Sequence, residues 1–372
     1  MRGSSRNVLA PALLSAALIL AAASGCGRGA RPSPAGPVVG VKIYEHPGPF
    51  GSLVDEWRGL GINAVFAGES LARNTDFRGL VRSNGLTLYL IFPVFQSPEA
   101  VKADPGLAAV TAAGTPARDE WVEFVCPARE DFLARRIEEL RSAVAAADPD
   151  VVSLDFIRYF VFWERIAPDR TPASLPRTCF CPVCLAGFEK DMGDRVPPDL
   201  ATTSEKADWI LDRHAAEWTE WKCRTIARAV ERLAAAARAA KPGIRVNLHA
   251  VPWREADFGG AAASVAGQDL ARLAPLVDMI SPMAYHPMVG QDPAWVRSVV
   301  EDVSRRTQTP VLASIQVSNA YVEAELPPAE FRAALEAALS PPSVGVVLWS
   351  WDALSKSPEK MRILRSLAGL KK

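Results

Sequence analysis

Eight short apolar runs, rich in β-branched and aromatic residues, recur along the chain and alternate with amphipathic stretches. Strands that are apolar on both faces and separated by helices form parallel sheets, which the helices cover on the outside. Eight such units predict a (β/α)8 TIM barrel of the α/β class, as a single domain over residues 38–372. The runs cover residues 38–46, 63–70, 86–95, 151–159, 245–253, 278–286, 310–318 and 345–352.

The segments between the runs contain the helices that a barrel needs. Long helices are expected over 128–147 and about 205–240. No G-x-G-x-x-G follows the first run, which disfavours a dinucleotide-binding sheet. Residues 160–205, after the fourth run, predict a long loop insertion, and such a loop in a compact domain is usually functional or disordered. The apolar positions of the first helix are Leu133, Ile137, Leu140 and Val144.

The first 25 residues have the layout of an export signal. Arg2 and Arg6 precede an apolar stretch at 8–23 that is short for a membrane span. The sequence A-A-A-S-G-C at 21–26 resembles a bacterial lipobox, which implies cleavage before Cys26 and a lipid on its sulfur. The alternative is a plain secretory signal with an incidental cysteine.

The residues that follow Cys26 set the expected location of the domain. Residues 26–37 predict a flexible tether because they are dominated by Gly, Pro and Arg. We therefore expect an extracytoplasmic domain, lipid-anchored to a bacterial membrane, either in the outer membrane and periplasm or at the cell surface. Lys and Arg, 42 in all, balance 42 Asp and Glu. This balance gives no basic footprint for nucleic acid.

Polar and aromatic residues follow the apolar runs. The active sites of (β/α)8 barrels lie at the C-terminal ends of the strands. Aromatic faces that stack on sugar rings, together with side chains that bond hydroxyl groups, are typical of carbohydrate sites. The predicted substrate-binding residues are Arg158, His249, Trp253, Tyr285, His286, Gln316 and Trp349.

Three strand ends resemble a known family. S-L-D-F-I-R-Y in the fourth run, M-I-S-P-M-A-Y-H in the sixth and G-V-V-L-W-S-W-D in the eighth look like the uncharacterised glycoside-hydrolase-like barrels of bacteria. The resemblance implies a glycosidase-type TIM barrel, a carbohydrate ligand and a place for Asp155 in the site.

A more distant likeness is to family 18 chitinases, whose fourth strand carries D-G-x-D-x-D-x-E. Asp150 and Asp155 match the first and third acids of that motif. Ser153 replaces the second acid, and Ile157 stands at the position of the catalytic Glu. The chain is therefore not expected to be a standard chitinase.

Glycoside hydrolysis usually needs two carboxyl groups, one as proton donor and one as nucleophile or base. Asp155 is predicted to be one of them, with Glu45 and Asp352 ranked first as its partner and Glu69 and Glu164 as alternatives. A neighbouring Arg158 would keep Asp155 ionised and favour the role of nucleophile or stabiliser. Alternatively, the two residues form an ion pair that only orders the mouth of the barrel.

Five cysteines lie beyond Cys26. Disulfides that staple loops are the favoured interpretation for an extracytoplasmic chain, although an odd number leaves one thiol unpaired. Cys181-x-x-Cys184 with two further thiols would instead hold a structural zinc ion, and reduced or reactive thiols are a third possibility. The residues concerned are Cys126, Cys179, Cys181, Cys184 and Cys223.

These patterns predict a glycoside hydrolase that acts on an extracytoplasmic glycan through paired carboxylates. The alternative is a non-catalytic carbohydrate-binding or surface-interaction lipoprotein on a degenerate barrel. A metal-dependent hydrolase is a weaker third hypothesis, since no H-x-H or H-E-x-x-H spacing supports it. Expected partners are an oligo- or polysaccharide and, through acylated Cys26, a lipid bilayer. No catalytic cofactor is expected, and the protein is expected to be a monomer.

Overall fold

A computed structural model describes residues 36–193, 195–321 and 323–369. Eight parallel strands close into a barrel in chain order, with the first strand hydrogen-bonded to the last. The (β/α)8 prediction is confirmed. The strands are β1 (Val38–Ile43), β2 (Ala64–Ala67), β3 (Thr87–Pro93), β4 (Val151–Asp155), β5 (Arg245–Ala250), β6 (Met279–Pro282), β7 (Val311–Gln316) and β8 (Ser343–Trp349).

Within the described ranges, nine helices of nine residues or more accompany the strands. They are α1 (Phe50–Gly59), α2 (Thr75–Ser83), α3 (Glu130–Ala147), α4 (Pro182–Met192), α5 (Thr203–Arg213), α6 (Ala215–Ala240), α7 (Pro293–Thr307), α8 (Pro328–Leu339) and α9 (Pro358–Gly369). Shorter helices are Glu69–Arg73, Pro98–Ala103, Ala261–Ser264, Leu270–Leu273 and Trp351–Leu354.

Two helices differ from the sequence-based expectation. The helix expected over 205–240 is two helices, α5 and α6, because His214 leaves the helical region at φ −134° and ψ 28°. Thr202 begins α5 with a capping box, in which its hydroxyl accepts from the Glu205 N–H and the Glu205 carboxylate accepts from Thr202. The predicted 160–205 loop contains α4, which begins with Pro182 directly after Cys181.

Side chains that point into the barrel are apolar at one end and polar at the other. The lower layers contain an apolar cluster that includes Phe66, Tyr89 and Met279. The Phe66 and Tyr89 rings stack at 3.9 Å between centroids. Gly40 leaves the room for this pair, since a Cβ there would lie 2.8 Å from a Phe66 ring carbon.

Toward the C-terminal ends of the strands, the interior becomes polar. Because side chains alternate along a strand, Lys42 faces inward on β1 above Gly40, and Ser153 and Asp155 face inward on β4 above Val151. Neighbouring strands add buried polar groups, which are Asn247, His249, Ser281, Ser314 and Gln316. The polar layer therefore lies on the face where barrels of this type carry their sites.

Two long segments cover this face of the barrel. Residues 94–129, after β3, include a two-stranded antiparallel ribbon, Arg118–Asp119 with Val122–Glu123. Residues 156–202, after β4, contact the first segment through backbone bonds from Phe180 N–H to Val110 O (2.9 Å) and from Ala112 N–H to Arg177 O (3.0 Å). The two segments thus form one joined cover.

The N-terminal predictions lie outside the described residues. The signal peptide at 1–25, the acylated Cys26 and most of the 26–37 tether fall before residue 36. Within the described ranges, none of the helices combines the length and apolar character that crossing a membrane requires.

Candidate functional site

Asp155 is the last residue of β4 and lies at the mouth of the barrel, with only 4% of its surface exposed. The backbone N–H of Phe156 donates to Asp155 Oδ1 at 2.8 Å. Phe156 has φ 48°, a left-handed conformation that is unusual for a bulky residue. The chain therefore turns sharply at the carboxylate and fixes its position.

Lys42 and Tyr285 form a second buried polar group at the mouth. The Lys42 ammonium donates to the Tyr285 hydroxyl at 3.3 Å, and this hydroxyl lies 3.1 Å from Ser314 Oγ. The Tyr285 ring stacks on Trp349 at 5.2 Å, with an angle of 18° between the planes. Tyr285 is thus held by hydrogen bonds at its hydroxyl and by stacking on its face.

The pKa of Asp155 lies below its usual value. Burial acts to raise this pKa, but His249, Lys42, the Phe156 N–H and Arg158 together outweigh burial and lower it. Burial, followed by the charge of Lys42, lowers the pKa of His249 to about 3, so the imidazole is neutral at neutral pH. Lys42 and Arg158 are then the cations that keep Asp155 ionised at that pH.

His249 belongs to a chain of buried hydrogen bonds across three strands. Its Nε2 lies 2.9 Å from Ser153 Oγ, and Asn247 donates to the same hydroxyl oxygen at 2.7 Å. Ser281 donates to Asn247 at 2.9 Å. Ser153 therefore orients His249 in this barrel.

Arg158 is the most unusual residue of the site. It is 1% exposed, and none of its three guanidinium nitrogens has a hydrogen-bond partner among the described residues. The guanidinium carbon lies 4.8 Å from the centroid of Phe124 and 5.4 Å from that of Phe156, which are cation–π contacts. No described carboxylate lies within salt-bridge distance of Arg158, so the Asp155–Arg158 ion pair considered as an alternative is absent.

Glu164 is the second buried acid near Arg158. It lies on a 3-10 turn, Trp163–Arg165, and its Oε2 has no hydrogen-bond partner in the described part of the chain. Burial raises the pKa of Glu164 to about 7, with Asp155 acting in the same direction and Arg158 against it. Two acids that interact with one guanidinium thus have pKa values shifted in opposite directions.

The large exposed aromatic side chains of the described chain lie on loops at this face. They are Tyr44 (40% exposed), after β1, Trp121 (46%), after β3, and Tyr321 (46%), after β7. The Trp121 indole N–H donates to the Tyr321 hydroxyl at 2.7 Å. Burial raises the pKa values of Tyr44 and Tyr321, and the charges of Asp155 and Glu164, respectively, act in the same direction. We call Tyr44, Trp121 and Tyr321 the aromatic rim.

The structure places the other predicted residues as follows. Glu45 and Asp352, ranked first as partners of Asp155, are both exposed, and Asp352 lies on the short helix Trp351–Leu354. Trp253 lines a separate cleft of about 440 Å³ together with Arg254 and Trp295. The catalytic roles of Asp155, Glu45 and Asp352 stay predictions.

Two predicted substrate-binding residues are already engaged within the protein. His286 Nε2 lies 3.0 Å from Glu330 Oε1. Gln316 accepts from the Met288 N–H at 3.2 Å and donates to the Ser318 carbonyl at 3.0 Å. These contacts fix the loops that follow the strands. The sugar-binding roles of His286 and Gln316 remain predictions.

The cysteines differ from the favoured expectation. All five described cysteines are free thiols, so the structure does not contain the disulfide staples that the sequence favoured among them. Four of them converge, with their sulfur atoms all within 4.8 Å of one another: Cys126, Cys179, Cys181 and Cys184. Cys223 lies apart, where its thiol donates to the Ala263 carbonyl at 3.7 Å.

Several site residues were not selected from the sequence. Lys42 could have been predicted from the sequence. It is a lone charge inside the first apolar run, two positions after Gly40, and side chains two positions apart on a strand face the same side. Trp121 and Tyr321 could not have been predicted, because their hydrogen bond joins two loops that are 200 residues apart in the sequence.

Solved structures that resemble this chain are glycoside hydrolase barrels. The glycoside hydrolase domain of PgaB (BpsB) from Bordetella bronchiseptica has a TM-score of 0.69 and 16% identity, with 91% of this chain and 100% of that one covered. The β-galactosidase of the psychrophilic Marinomonas ef1 has a TM-score of 0.66 and 11% identity, with 89% of this chain and 59% of that one covered. A β-galactosidase from the Antarctic haloarchaeon Halorubrum lacusprofundi has a TM-score of 0.64 and 12% identity, with 89% and 57% covered.

These likenesses confirm the fold as a (β/α)8 TIM barrel. The chain spans less than two thirds of the length of the two β-galactosidases. Comparison with protein-family models and with curated protein sequences found no match. The expected likenesses to family 18 chitinases and to the bacterial fourth-strand signature therefore have no support from sequence comparison.

Proposed function

We propose that the protein is a glycoside hydrolase that acts on an extracytoplasmic glycan, with Glu164 as proton donor and Asp155 as the ionised carboxylate. The observation that carries this proposal is the opposite shift of two buried acids beside one guanidinium. Burial raises the pKa of Glu164 to about 7, whereas neighbouring cations hold the pKa of Asp155 below its usual range. Such a divided pair is the arrangement that glycoside hydrolysis requires.

In the proposed reaction, the Glu164 carboxylic acid donates its proton to the glycosidic oxygen as the bond from that oxygen to the anomeric carbon breaks. Asp155 either attacks the anomeric carbon or removes a proton from the attacking water. The free Glu164 Oε2 leaves an oxygen available for this contact. Lys42 and Arg158 keep Asp155 negative while positive charge develops on the sugar.

The surroundings of the two acids favour a carbohydrate as substrate. The aromatic rim offers exposed ring faces on which sugar rings can stack. The unpartnered nitrogens of Arg158 are donors suited to sugar hydroxyl or carboxylate oxygens. Structural neighbours that are glycoside hydrolases support the same substrate class.

The location rests on the sequence alone. The lipobox-like A-A-A-S-G-C motif and the 26–37 tether support an extracytoplasmic domain held to a bacterial membrane by acylated Cys26. A surface or periplasmic glycan is the polymer that a tethered domain would reach.

The proposal is tested by screening the full chain against a panel of oligosaccharides, with product detection by mass spectrometry. Asp155→Asn and Glu164→Gln should each lower kcat by roughly 10²–10⁴-fold while sugar binding persists. Glu45→Gln and Asp352→Asn are the matched controls, because they neutralise exposed acids on the same face, and they should retain turnover. A loss of turnover in either control, with Glu164→Gln active, would transfer the second role to that residue.

The same screen separates hydrolysis from the non-catalytic alternative. If the wild-type chain binds oligosaccharides but releases no product from any of them, the protein is a carbohydrate-binding module on a glycosidase-type barrel. Unchanged turnover in Asp155→Asn would refute the role given to that residue.

A further inference from the structure

Four buried thiols converge between the two segments that cover the barrel mouth. Cys126 lies near the end of the segment after β3, and Cys179, Cys181 and Cys184 belong to the segment after β4. All four are 1% exposed or less. The fold thus brings Cys126 next to Cys181 and Cys184, which lie 55 and 58 positions further along the chain.

The spacing of the sulfur atoms fits a metal ion better than a disulfide. Cys126 Sγ lies 3.3 Å from Cys184 Sγ and 3.5 Å from Cys181 Sγ, and all four sulfurs lie within 4.8 Å of one another. A disulfide needs about 2.05 Å between two sulfurs and leaves the others out. Four sulfurs at about 2.3 Å from a tetrahedral ion are roughly 3.8 Å apart from each other.

The groups around the thiols suit negatively charged sulfur. The Val110 N–H donates to Cys179 Sγ at 3.2 Å, and Cys181 is the N-cap of α4, whose free N–H groups favour anions. The buried Lys222 amine interacts electrostatically with Cys179 and Cys184. Lys222 is itself fixed by the carbonyls of Ser264 and Val265, each at 2.9 Å. The backbone donors lie outside the thiol cluster and offset the charge that it would carry as thiolates, and a protonated Lys222 would add to that effect.

We propose that Cys126, Cys179, Cys181 and Cys184 bind one Zn²⁺ ion as a structural site. Binding replaces the four thiol protons by four zinc–sulfur bonds and releases those protons to solvent. Four protein ligands fill a tetrahedral shell, so the ion has no position for water or substrate and is not catalytic. All-thiolate tetrahedral sites select zinc over magnesium, calcium and manganese.

The zinc site would hold the cover of the barrel in one arrangement. It joins the segment that carries Trp121 to the segment that carries Arg158 and Glu164. The Thr178 hydroxyl, next to Cys179, donates to the Phe160 carbonyl at 3.2 Å, so the cluster is linked to the chain that leaves β4. The ion therefore positions groups of the proposed sugar site without touching substrate. This inference stands independently of the hydrolase proposal.

The experiment is metal analysis of the full chain, purified without chelator. Inductively coupled plasma mass spectrometry should find about one zinc per chain in the wild type and in Cys223→Ser, and far less in Cys181→Ser. Cys223→Ser is the matched control, because it removes a buried thiol that lies outside the cluster. Zinc retained at full occupancy in Cys181→Ser would overturn the site.

A measurement on the wild type covers the case in which Cys181→Ser fails to fold. A strong chelator should remove the zinc and lower the Tm, and added Zn²⁺ should restore both. Cobalt in its place should give the intense absorption of tetrahedral thiolate coordination. Protein that remains metal-free after reduction and incubation with Zn²⁺, or that carries one iron and no zinc, would overturn the proposal. None of these readouts depends on hydrolysis, so failure of the enzyme assay leaves them interpretable.

Discussion

Glu164 and Arg158 act on each other through charge and not through a hydrogen bond. Burial lowers the pKa of Arg158, and the charges of Glu164 and Asp155 oppose that effect. Arg158 in turn lowers the pKa of Glu164 against its burial. Both side chains keep unpartnered polar atoms among the described residues. In the proposed site, these unused donors and acceptors are the groups that would bind the sugar.

The activity should depend on pH through Glu164. A proton donor works only while it is protonated, and its pKa is about 7. We therefore expect kcat/KM on a responsive oligosaccharide to fall tenfold per pH unit above about pH 7. The decline on the acid side should lie below the usual titration range of an aspartate, because the pKa of Asp155 is lowered. A rate that stays constant from pH 6 to pH 9 would contradict the assignment.

Removing the Arg158 charge should raise the pKa of Glu164 above 7. Arg158→Met deletes the group that opposes burial and keeps much of the side-chain volume. Titration of the Glu164 carboxyl carbon by ¹³C NMR measures this pKa without any substrate. Arg136→Met is the control, since Arg136 also lies over an aromatic ring, Phe92, at 4.2 Å. Equal titration of Glu164 in both variants would show that Arg158 does not act on it.

Glu164 should also make stability depend on pH. Its pKa is about 7 in the folded chain against an ordinary value of 4.5, so the folded state binds the proton more tightly. Its contribution is present below pH 4.5 and is lost as the pH rises through 7. The unfolding free energy of Glu164→Gln, relative to that of the wild type, should therefore rise by on the order of 3 kcal/mol between pH 4 and pH 8.

Urea unfolding of both proteins at several pH values checks this stability prediction. The difference between the two unfolding free energies cancels the other titrating groups. A difference that is the same at pH 4 and pH 8 would mean that Glu164 is not buried as the structure places it.

The fold was predictable because its signal is periodic and repeated. Each strand could be predicted from the residues of its own apolar run and from the helix after it. The ends of the runs then indicated the catalytic face. Asp155 followed directly, since an acid toward the C-terminal end of the apolar run at 151–159 was expected at the mouth. The run at 278–286 was too long because Pro282 ends β6, which leaves Tyr285 and His286 on the turn after it.

The rest of the site depended on the path of the loops. Glu164 lies beside Arg158 only because Phe156 turns the chain in a left-handed conformation and a 3-10 turn follows at Trp163. Cys126 joins the C-x-C-x-x-C group across more than 50 residues. Neither relationship has a period or spacing in the sequence. Glu45 and Asp352 also follow strand ends but are exposed, so a position next to a strand end does not by itself bury an acid as Asp155 is buried.

The aromatic rim should contribute to sugar binding and little to stability. Trp121→Ala and Tyr321→Ala each remove an exposed ring and should weaken oligosaccharide affinity by roughly 30-fold, or about 2 kcal/mol. Trp121→Phe and Tyr321→Phe keep a ring but lose their hydrogen bond, so a smaller loss is expected from them. Isothermal titration calorimetry with the Asp155→Asn protein measures binding without turnover. If all four variants bind the oligosaccharide as tightly as the Asp155→Asn protein without them, Trp121 and Tyr321 do not contribute to the site.

Lys42 should control the ionisation of the polar layer. Lys42→Met removes the cation that lowers the pKa values of both Asp155 and His249, so both should rise. Lys360→Met is the matched control, because Lys360 is also buried but donates to the Val317 carbonyl at 2.7 Å outside the site. ¹³C and ¹⁵N NMR titrations of Asp155 and His249 provide the measurement. We expect upward shifts in Lys42→Met alone, and the acid-side decline of kcat/KM should move to higher pH in the same variant. If Lys42→Met lowers the Tm but leaves both titrations unchanged, Lys42 only supports Tyr285 and does not set the charge of Asp155.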